Sequence, residues 1–117
     1  MPNMKVKIKG MVVSWSCLGD NLRMAVEAPD AVRATETILG DRIANHRIAI
    51  DSRTGIVRLT FTPSTTILLY GIEVLTKATL PEVANRVVYA DCSLVEYKLP
   101  SGQLGWWVVV KTLSIHD

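Results

Sequence analysis

The segment 86–115 carries the pattern that most constrains the fold of this chain. Two runs rich in β-branched and aromatic residues, Arg86 to Lys98 and Trp106 to Ile115, flank the turn-forming residues 99–103. Such runs on either side of a Pro-Ser-Gly cluster are typical of a β-hairpin. The sequence therefore predicts a long antiparallel hairpin, and with it a mainly β fold.

The composition indicates one domain with a partner. The 117 residues fit a single domain, residues 1–117, that buries a core without disulfides or metal. Hydrophobic residues make up 49% and charged residues 21%, and the mean hydropathy is +0.25. Because this is apolar for a small domain, we expect a protein partner or a homo-oligomer. The net charge of +2 gives no strong field toward nucleic acid, so any basic site must be local.

The cysteines and histidines do not form a metal-binding or nucleophilic pattern. Cys17 and Cys92 each lie in an apolar strand pattern, where a thiol packs as a small hydrophobic side chain. A structural metal site needs four ligands, usually in close pairs, whereas these cysteines, His46 and His116 are scattered singly. We expect free thiols and no bound metal.

Nothing in the sequence indicates an active site or a membrane segment. The glycines are single and form no G-x-G-x-x-G or P-loop series. Carboxylates such as Asp20, Asp30 and Asp51 fall in predicted caps and turns, where they bond the local backbone. No run approaches the roughly 18 apolar residues of a membrane span. The prediction is a non-catalytic, soluble, cytoplasmic protein with no cofactor.

The first predicted strand, residues 5–17, changes its apolar parity at Gly10. Val6 and Ile8 are apolar before this glycine, whereas Met11, Val13 and Trp15 are the large apolar residues after it. Because side chains alternate in a strand, the change predicts that the core face switches sides at Gly10. A glycine at the switch suits a bulge or a bend, as a small closed barrel requires of its first strand.

The middle of the chain alternates predicted strands with two helices. A half-solvated strand follows the first turn, and Pro29 ends it. The remaining elements are a helix over 31–39 capped by Asp30 and closed by Gly40, a hairpin over 47–62, a central strand buried on both faces over 66–75, and a short helix over 79–86.

The order of these elements resembles the OB-type barrel. With residues 30–62 set aside as a helix-plus-hairpin elaboration between strands 2 and 3, the chain reads β-β-β-α-β-β. The resemblance covers about two thirds of the chain and implies a small five-stranded Greek-key barrel, an architecture that commonly binds oligonucleotides or oligosaccharides. A plain β-sandwich or another small barrel is the alternative.

Basic residues at predicted outward positions suggest a binding surface. Lys5, Lys7 and Lys9 project from one face of the first strand, and Arg23 and Arg58 lie on other strands. A row of lysines on a β face can follow the phosphates of a nucleic acid. The alternative is that the lysines protect a strand edge from aggregation.

The adjacent tryptophans must point to opposite faces of their strand. Trp107 shares parity with Leu113 and Ile115 and is predicted in the core. Trp106 is then predicted on a semi-exposed face, where it and Tyr97 would stack on bases or join a protein interface.

Two functions are consistent with these patterns. The first is a non-catalytic module that binds single-stranded nucleic acid, using Lys5, Lys7, Lys9, Arg23 and Arg58 on phosphates and Tyr97 and Trp106 on bases. The second is an oligomeric structural or assembly subunit that acts through protein contacts alone. Saccharide binding is a third option, and fold analogy does not choose between them.

Overall fold

The computed structural model describes residues 4–18, 21–40, 46–74 and 85–116. Within these ranges the chain forms one helix and nine strands that belong to one sheet. The elements are β1 (Met4–Leu18), β2 (Asn21–Glu27), α1 (Pro29–Leu39), β3 (His46–Ile48), β4 (Ile50–Asp51), β5 (Ile56–Thr60), β6 (Thr66–Leu69), β7 (Ile72–Val74), β8 (Val87–Lys98) and β9 (Leu104–Ile115).

Five strands close into a barrel in the order β1, β2, β5, β9, β8. All neighbours are antiparallel except β5 and β9, which run parallel and close the barrel with Leu59 opposite Val108. The inward side chains form one apolar core in which Val12, Val57 and Leu59 are completely buried. This is the OB-type Greek-key barrel, and the predicted fold class is confirmed.

The first strand changes its pairing partner near Gly10, but its core face changes later than predicted. Residues 4–11 pair with β8 and residues 11–18 with β2, so the strand changes partners at Gly10 and Met11. Val12 is buried, whereas Met11 and Val13 are 45% and 48% exposed. The extra residue lies between Val12 and Ser14, where the register with β2 shifts. The prediction that the core face switches at Gly10 was wrong, because the bulge that reverses the side-chain parity is at Val13.

Gly10 is required by close packing. A Cβ at this position would lie 2.6 Å from Val26 Cγ1 and 2.8 Å from Ala28 Cβ, and it would also overlap the carbonyl oxygen of Glu27. The first strand can therefore cross over the end of β2 only if position 10 has no side chain.

The predicted helix after β2 is confirmed, with a different start. It begins at Pro29, which occupies the first turn, and its N-cap residue Ala28 makes no side-chain capping bond. Asp30 lies inside the first turn and pairs with Arg33 at 2.9 Å instead of capping the helix. Gly40 ends the helix with a φ of 55°.

Residues 66–74 form a hairpin at one end of the sheet, so the predicted central strand was wrong. Tyr70 and Gly71 both have positive φ values, 52° and 81°, which is the backbone of a two-residue type I′ turn. β6 runs parallel to β9, and β7 is the last strand beyond it. Ile72 on β7 is 68% exposed. The third barrel strand is instead β5, because its antiparallel pairing with β2 and its parallel pairing with β9 complete the closure.

Both predicted hairpins outside this segment are confirmed. β4 and β5 pair across residues 52–55, and β8 and β9 pair over their full length. In the second hairpin the Leu99 N–H donates to the Gln103 carbonyl at 2.8 Å, and Gly102 has a φ of 88°. The predicted helix over 79–86 lies almost entirely outside the described residues. In the described ranges, no helix has the length and apolar character needed to cross a membrane.

Candidate functional site

A bulge in β9 decides which tryptophan faces solvent. Asp91 pairs with Thr112 and Cys92 with Val110, so Lys111 is an extra residue that reverses the side-chain parity of β9. Trp106 therefore lies in the core at 2% exposure, whereas Trp107 is 42% exposed. The prediction that Trp107 is in the core and Trp106 is semi-exposed was wrong. It assumed that the alternation of Leu113 and Ile115 continues without interruption to the tryptophans, whereas the bulge reverses it.

Tyr97 and Trp107 form an aromatic pair on the outer surface of the barrel. Tyr97 on β8 faces Gly105 on β9, two residues before Trp107 on the same face. The centroids of the two rings are 4.9 Å apart and the ring planes are tilted by 55°. The Tyr97 ring lies directly over Gly105, because a Cβ there would come within 2.5 Å of Tyr97 Cζ. The glycine thus lets the tyrosine ring lie against the strand beside Trp107.

Two arginines lie on the strands next to this pair. Arg23 on β2 is the register partner of Thr60, and Arg58 is two residues from Thr60 on β5, so both side chains leave the same face. Both are exposed. Leu59 pairs with Val108, which places Arg58 beside Trp107 on the neighbouring strand. Neither arginine side chain has a hydrogen-bond or ion-pair partner among the described residues.

These side chains line one open depression of about 490 Å³. We call it the arginine–aromatic groove. It crosses four strands of the barrel, and its charged and aromatic groups reach solvent. Its lining residues are Arg23, Ala49, Arg58, Thr60, Tyr97, Leu99 and Trp107. Guanidinium groups beside exposed rings suit a ligand with both anionic groups and flat aromatic groups.

The predicted lysine row does not join this groove. Lys5 and Lys7 line a separate depression of about 470 Å³ with Lys111, on the outer face of β1, β8 and β9. Lys9 lies in a third depression with Tyr89. The structure therefore brings together three of the predicted residues, Arg23, Arg58 and Tyr97, and separates them from Lys5, Lys7, Lys9 and the buried Trp106.

Sequence reasoning missed Trp107 and Lys111. A signal for both was present, because Val108 and Val110 have the opposite parity to Leu113 and Ile115, with Lys111 between the two sets. The same type of parity change indicated a bend in the first strand. In β9, the change of apolar parity between Val110 and Leu113 predicts a bulge near Lys111 and an outward Trp107.

The titratable groups of the described residues are scattered, and two of them have shifted pKa values. Within those ranges, no group of three or more His, Cys, Asp or Glu side chains gathers. Asp51 accepts the Arg53 backbone N–H at 2.9 Å, and this bond lowers the pKa of its carboxyl. Burial raises the pKa of the Cys92 thiol to about 12, with a smaller contribution from the charge of Asp91. Cys92 is a buried free thiol, as predicted, whereas the side chain of Cys17 lies outside the described residues.

Comparison by sequence finds no match for this chain among protein-family models or among curated proteins. Comparison by structure finds similar proteins. The single-stranded DNA-binding protein from bacteriophage Enc34 is similar with a TM-score of 0.58 and 10% identity, over 93% of this chain and 79% of that chain. The single-stranded DNA-binding protein gp2.5 of bacteriophage T7 is similar with a TM-score of 0.55 and 8% identity, over 97% and 86% of the two chains.

At these identities the similarity shows a shared fold. The structural neighbours are single-stranded DNA-binding proteins of the OB fold, which is the fold that the strand order of this chain defines. OB folds bind oligonucleotides on the face of their second and third barrel strands and at the loops between strands 1 and 2 and between strands 4 and 5. In this chain those strands are β2 and β5, which carry Arg23 and Arg58, and the last loop joins β8 to β9 beside Tyr97.

Proposed function

We propose that this chain is a non-catalytic domain that binds single-stranded DNA in the arginine–aromatic groove. The observation that carries the proposal is the meeting of Arg23, Arg58, Tyr97 and Trp107 at the face where OB folds hold oligonucleotides. Trp107 and Tyr97 would stack on successive bases, and the arginines would pair with backbone phosphates. No sequence-specific contact is required, because every base presents an aromatic face.

The exposure of these groups supports the proposal. A tryptophan that is 42% exposed in the middle of a barrel strand leaves apolar area in water, which a stacked base would cover. The arginines have no intramolecular partner among the described residues, so a phosphate would meet guanidinium groups that need not break an ion pair first. Stacking contributes about 1–3 kcal/mol per base.

The test is a titration of a fluorescently labelled oligonucleotide with the wild-type chain and matched variants at several salt concentrations. Trp107→Ala should weaken binding by about 1–3 kcal/mol with little change in salt dependence. Arg58→Gln and Arg23→Gln should each reduce the slope of log K against log salt by about 0.7, because one phosphate contact is lost. Ile72→Ala and Arg53→Gln, exposed positions away from the groove, are the controls. Absence of binding at low salt, or wild-type affinity of Trp107→Ala and Arg58→Gln, would contradict the proposal.

Self-association is the second candidate. It is supported by large apolar side chains that are exposed outside the groove, with Met11 at 45%, Val13 at 48% and Ile72 at 68%. Sedimentation of the wild type would then give a mass above the 12.9 kDa of one chain, and Val13→Ser or Ile72→Ser would lower it. A wild-type mass of one chain over the micromolar range would exclude this candidate.

A further inference from the structure

A second cluster of basic and aromatic side chains lies at the opposite end of the β8–β9 hairpin from the arginine–aromatic groove. We call it the far cluster, and it consists of Lys9, Arg86, Tyr89 and His116 around a depression of about 530 Å³ that Val87 also lines. Lys9 Nζ lies 5.3 Å from the centroid of the Tyr89 ring, in a cation–π contact. The His116 ring packs edge-on against Tyr89 with the centroids 5.5 Å apart.

The contacts of the far cluster hold its positive charge at the surface. Tyr89 is 40% exposed and fixes the otherwise flexible Lys9 side chain by its ring face. Arg86 donates a hydrogen bond to the Tyr70 hydroxyl on the β6–β7 turn. Two cations held in this way beside an open depression suit the oxygens of a phosphodiester.

Lysines lie between the two sites. Lys5, Lys7 and the bulge residue Lys111 line the middle depression, and none of them forms an ion pair with a described residue. Asp91 is the register partner of Lys7 and the one carboxylate among the described residues that line this depression. The bulge is what turns Lys111 outward, because the extra residue has no partner in the ladder with β8.

All three depressions lie along one surface. Tyr89, Asp91 and Tyr97 have the same parity on β8, so they face outward together, and Trp107 continues this face on β9. From Trp107 to Ser114, the register partner of Tyr89, β9 covers about 20 Å at roughly 3.3 Å per residue. The groove, the lysines and the far cluster therefore follow one another along this face of the hairpin, on which the buried Ser93 lies between Asp91 and Tyr97.

We infer that a single strand bound in the arginine–aromatic groove continues along the outer face of β8 and β9, past Lys5 and then Lys7 and Lys111, to a phosphate contact at Lys9 and Arg86. This inference rests on the proposed function. It assigns a second part of the binding site, which contacts only the sugar–phosphate backbone of the bound strand. The additional path of about 20 Å corresponds to about six nucleotides or fewer, since a stacked strand advances about 3.4 Å per nucleotide.

Oligonucleotide length tests the inference. An oligonucleotide of about 4 nucleotides fills the groove alone, whereas one of about 12 nucleotides also reaches the far cluster, and both lie within the site sizes of OB folds. The longer one should bind more tightly, with a salt slope that is steeper by about 0.7 for each added phosphate contact. Lys9→Gln and Lys111→Gln should each weaken the longer one about five- to tenfold at 50 mM salt and leave the shorter one unchanged.

Two further variants sharpen the experiment. Asp91→Asn removes the carboxylate beside the path and should strengthen binding of the longer oligonucleotide alone. Arg53→Gln makes the same charge change as the lysine variants on the turn between β4 and β5, away from the path, and should have no length-dependent effect. Thermal unfolding of each variant checks that these exposed substitutions leave the fold intact.

The outcomes separate the inference from the proposed function. If both oligonucleotides bind with the same affinity and slope, or if Lys9→Gln and Lys111→Gln bind the longer one like Arg53→Gln, the path along the hairpin is wrong while groove binding stands. If neither oligonucleotide binds the wild type at low salt, the proposed function fails and the path with it.

Discussion

The ring of Tyr97 covers the backbone of Gly105, its register partner across the β8–β9 ladder. A Cβ at position 105 would lie 2.5 Å from Tyr97 Cζ and 2.6 Å from its hydroxyl oxygen, so any other residue would displace the ring. The same ring contacts Trp107, whose centroid is 4.9 Å away. The glycine therefore fixes the arrangement of both aromatic side chains in the groove.

Gly105→Ala should weaken oligonucleotide binding through Tyr97. The methyl group forces the tyrosine ring off the strand, so the variant should lose about as much affinity as Tyr97→Ala, about 1–3 kcal/mol. In the double variant the two losses should not add, because the ring that Gly105 positions is already absent. A double-mutant cycle of binding free energies measures this coupling. Additive losses would show that Gly105 acts independently of Tyr97.

Substitution of the two tryptophans should have different effects on the free energy of unfolding. Trp106→Ala empties a fully buried position and should lower the free energy of unfolding by about 3–5 kcal/mol. Trp107→Ala loses mainly its contact with Tyr97 and should cost about 1 kcal/mol. Urea denaturation of both variants checks this order, and a larger loss for Trp107→Ala would reverse the assignment of the core face of β9.

Gly10→Val should destabilise the barrel, and Gly10→Ala should do so less. The added atoms would overlap Val26, Ala28 and the Glu27 carbonyl, and overpacking of this kind costs about 1–3 kcal/mol. Ser14→Ala, an exposed position of the same strand, should stay within about 0.5 kcal/mol. Chemical denaturation gives the three values. A neutral Gly10→Val would mean that β1 does not approach the end of β2 so closely.

Cys92 should be unreactive in the folded chain and should make stability sensitive to alkaline pH. The pKa of its thiol is raised from about 9 to about 12, so between these values only the unfolded chain ionises it. The stabilisation is complete below pH 9 and is lost as pH rises toward 12, by up to about 1.4 kcal/mol per pH unit. Unfolding curves of wild type and Cys92→Ala at pH 8 and pH 10.5 should diverge in this direction.

Thiol titration gives an independent check on Cys92. A disulfide reagent at pH 8 should modify this thiol only after denaturant is added, because the reactive thiolate is scarce in the folded state. Mass spectrometry of the native chain should show two free thiols and no metal. Rapid modification of Cys92 without denaturant would place the thiol at the surface.

Ser93→Ala should leave stability unchanged or raise it by about 1 kcal/mol. The Ser93 hydroxyl is buried without a hydrogen-bond partner in the described part of the chain, and such a group costs free energy that alanine avoids. Thr35→Val is the contrast, because the buried Thr35 hydroxyl donates to the Ala31 carbonyl at 2.8 Å and its loss should be neutral or destabilising. Thermal unfolding compares the two. A clear loss of stability in Ser93→Ala would indicate an additional partner for this hydroxyl.

Local chemistry in the sequence was enough to determine most elements of the fold. The β8–β9 hairpin follows from two β-rich runs around residues 99–103, and the β4–β5 hairpin follows from alternation around residues 52–55. The helix after β2 follows from its apolar spacing and from the glycine stop at Gly40, whereas its start at Pro29 was not predicted. These signals lie within a few residues of the structure they specify, so they can be recognised without knowing which strands pair. The order of the strands then indicated the OB-type barrel.

Only the tertiary structure decided which faces and which edges the strands present. The bulges at Val13 and Lys111 depend on the register between strands, and each reverses the side-chain parity beyond it, so that Trp107 rather than Trp106 reaches solvent. The 66–74 segment is as apolar as a central strand, yet β5 occupies that place because it pairs with both β2 and β9. The arginine–aromatic groove combines side chains from β2, β5, β8 and β9, which are distant in sequence and adjacent only because the barrel closes.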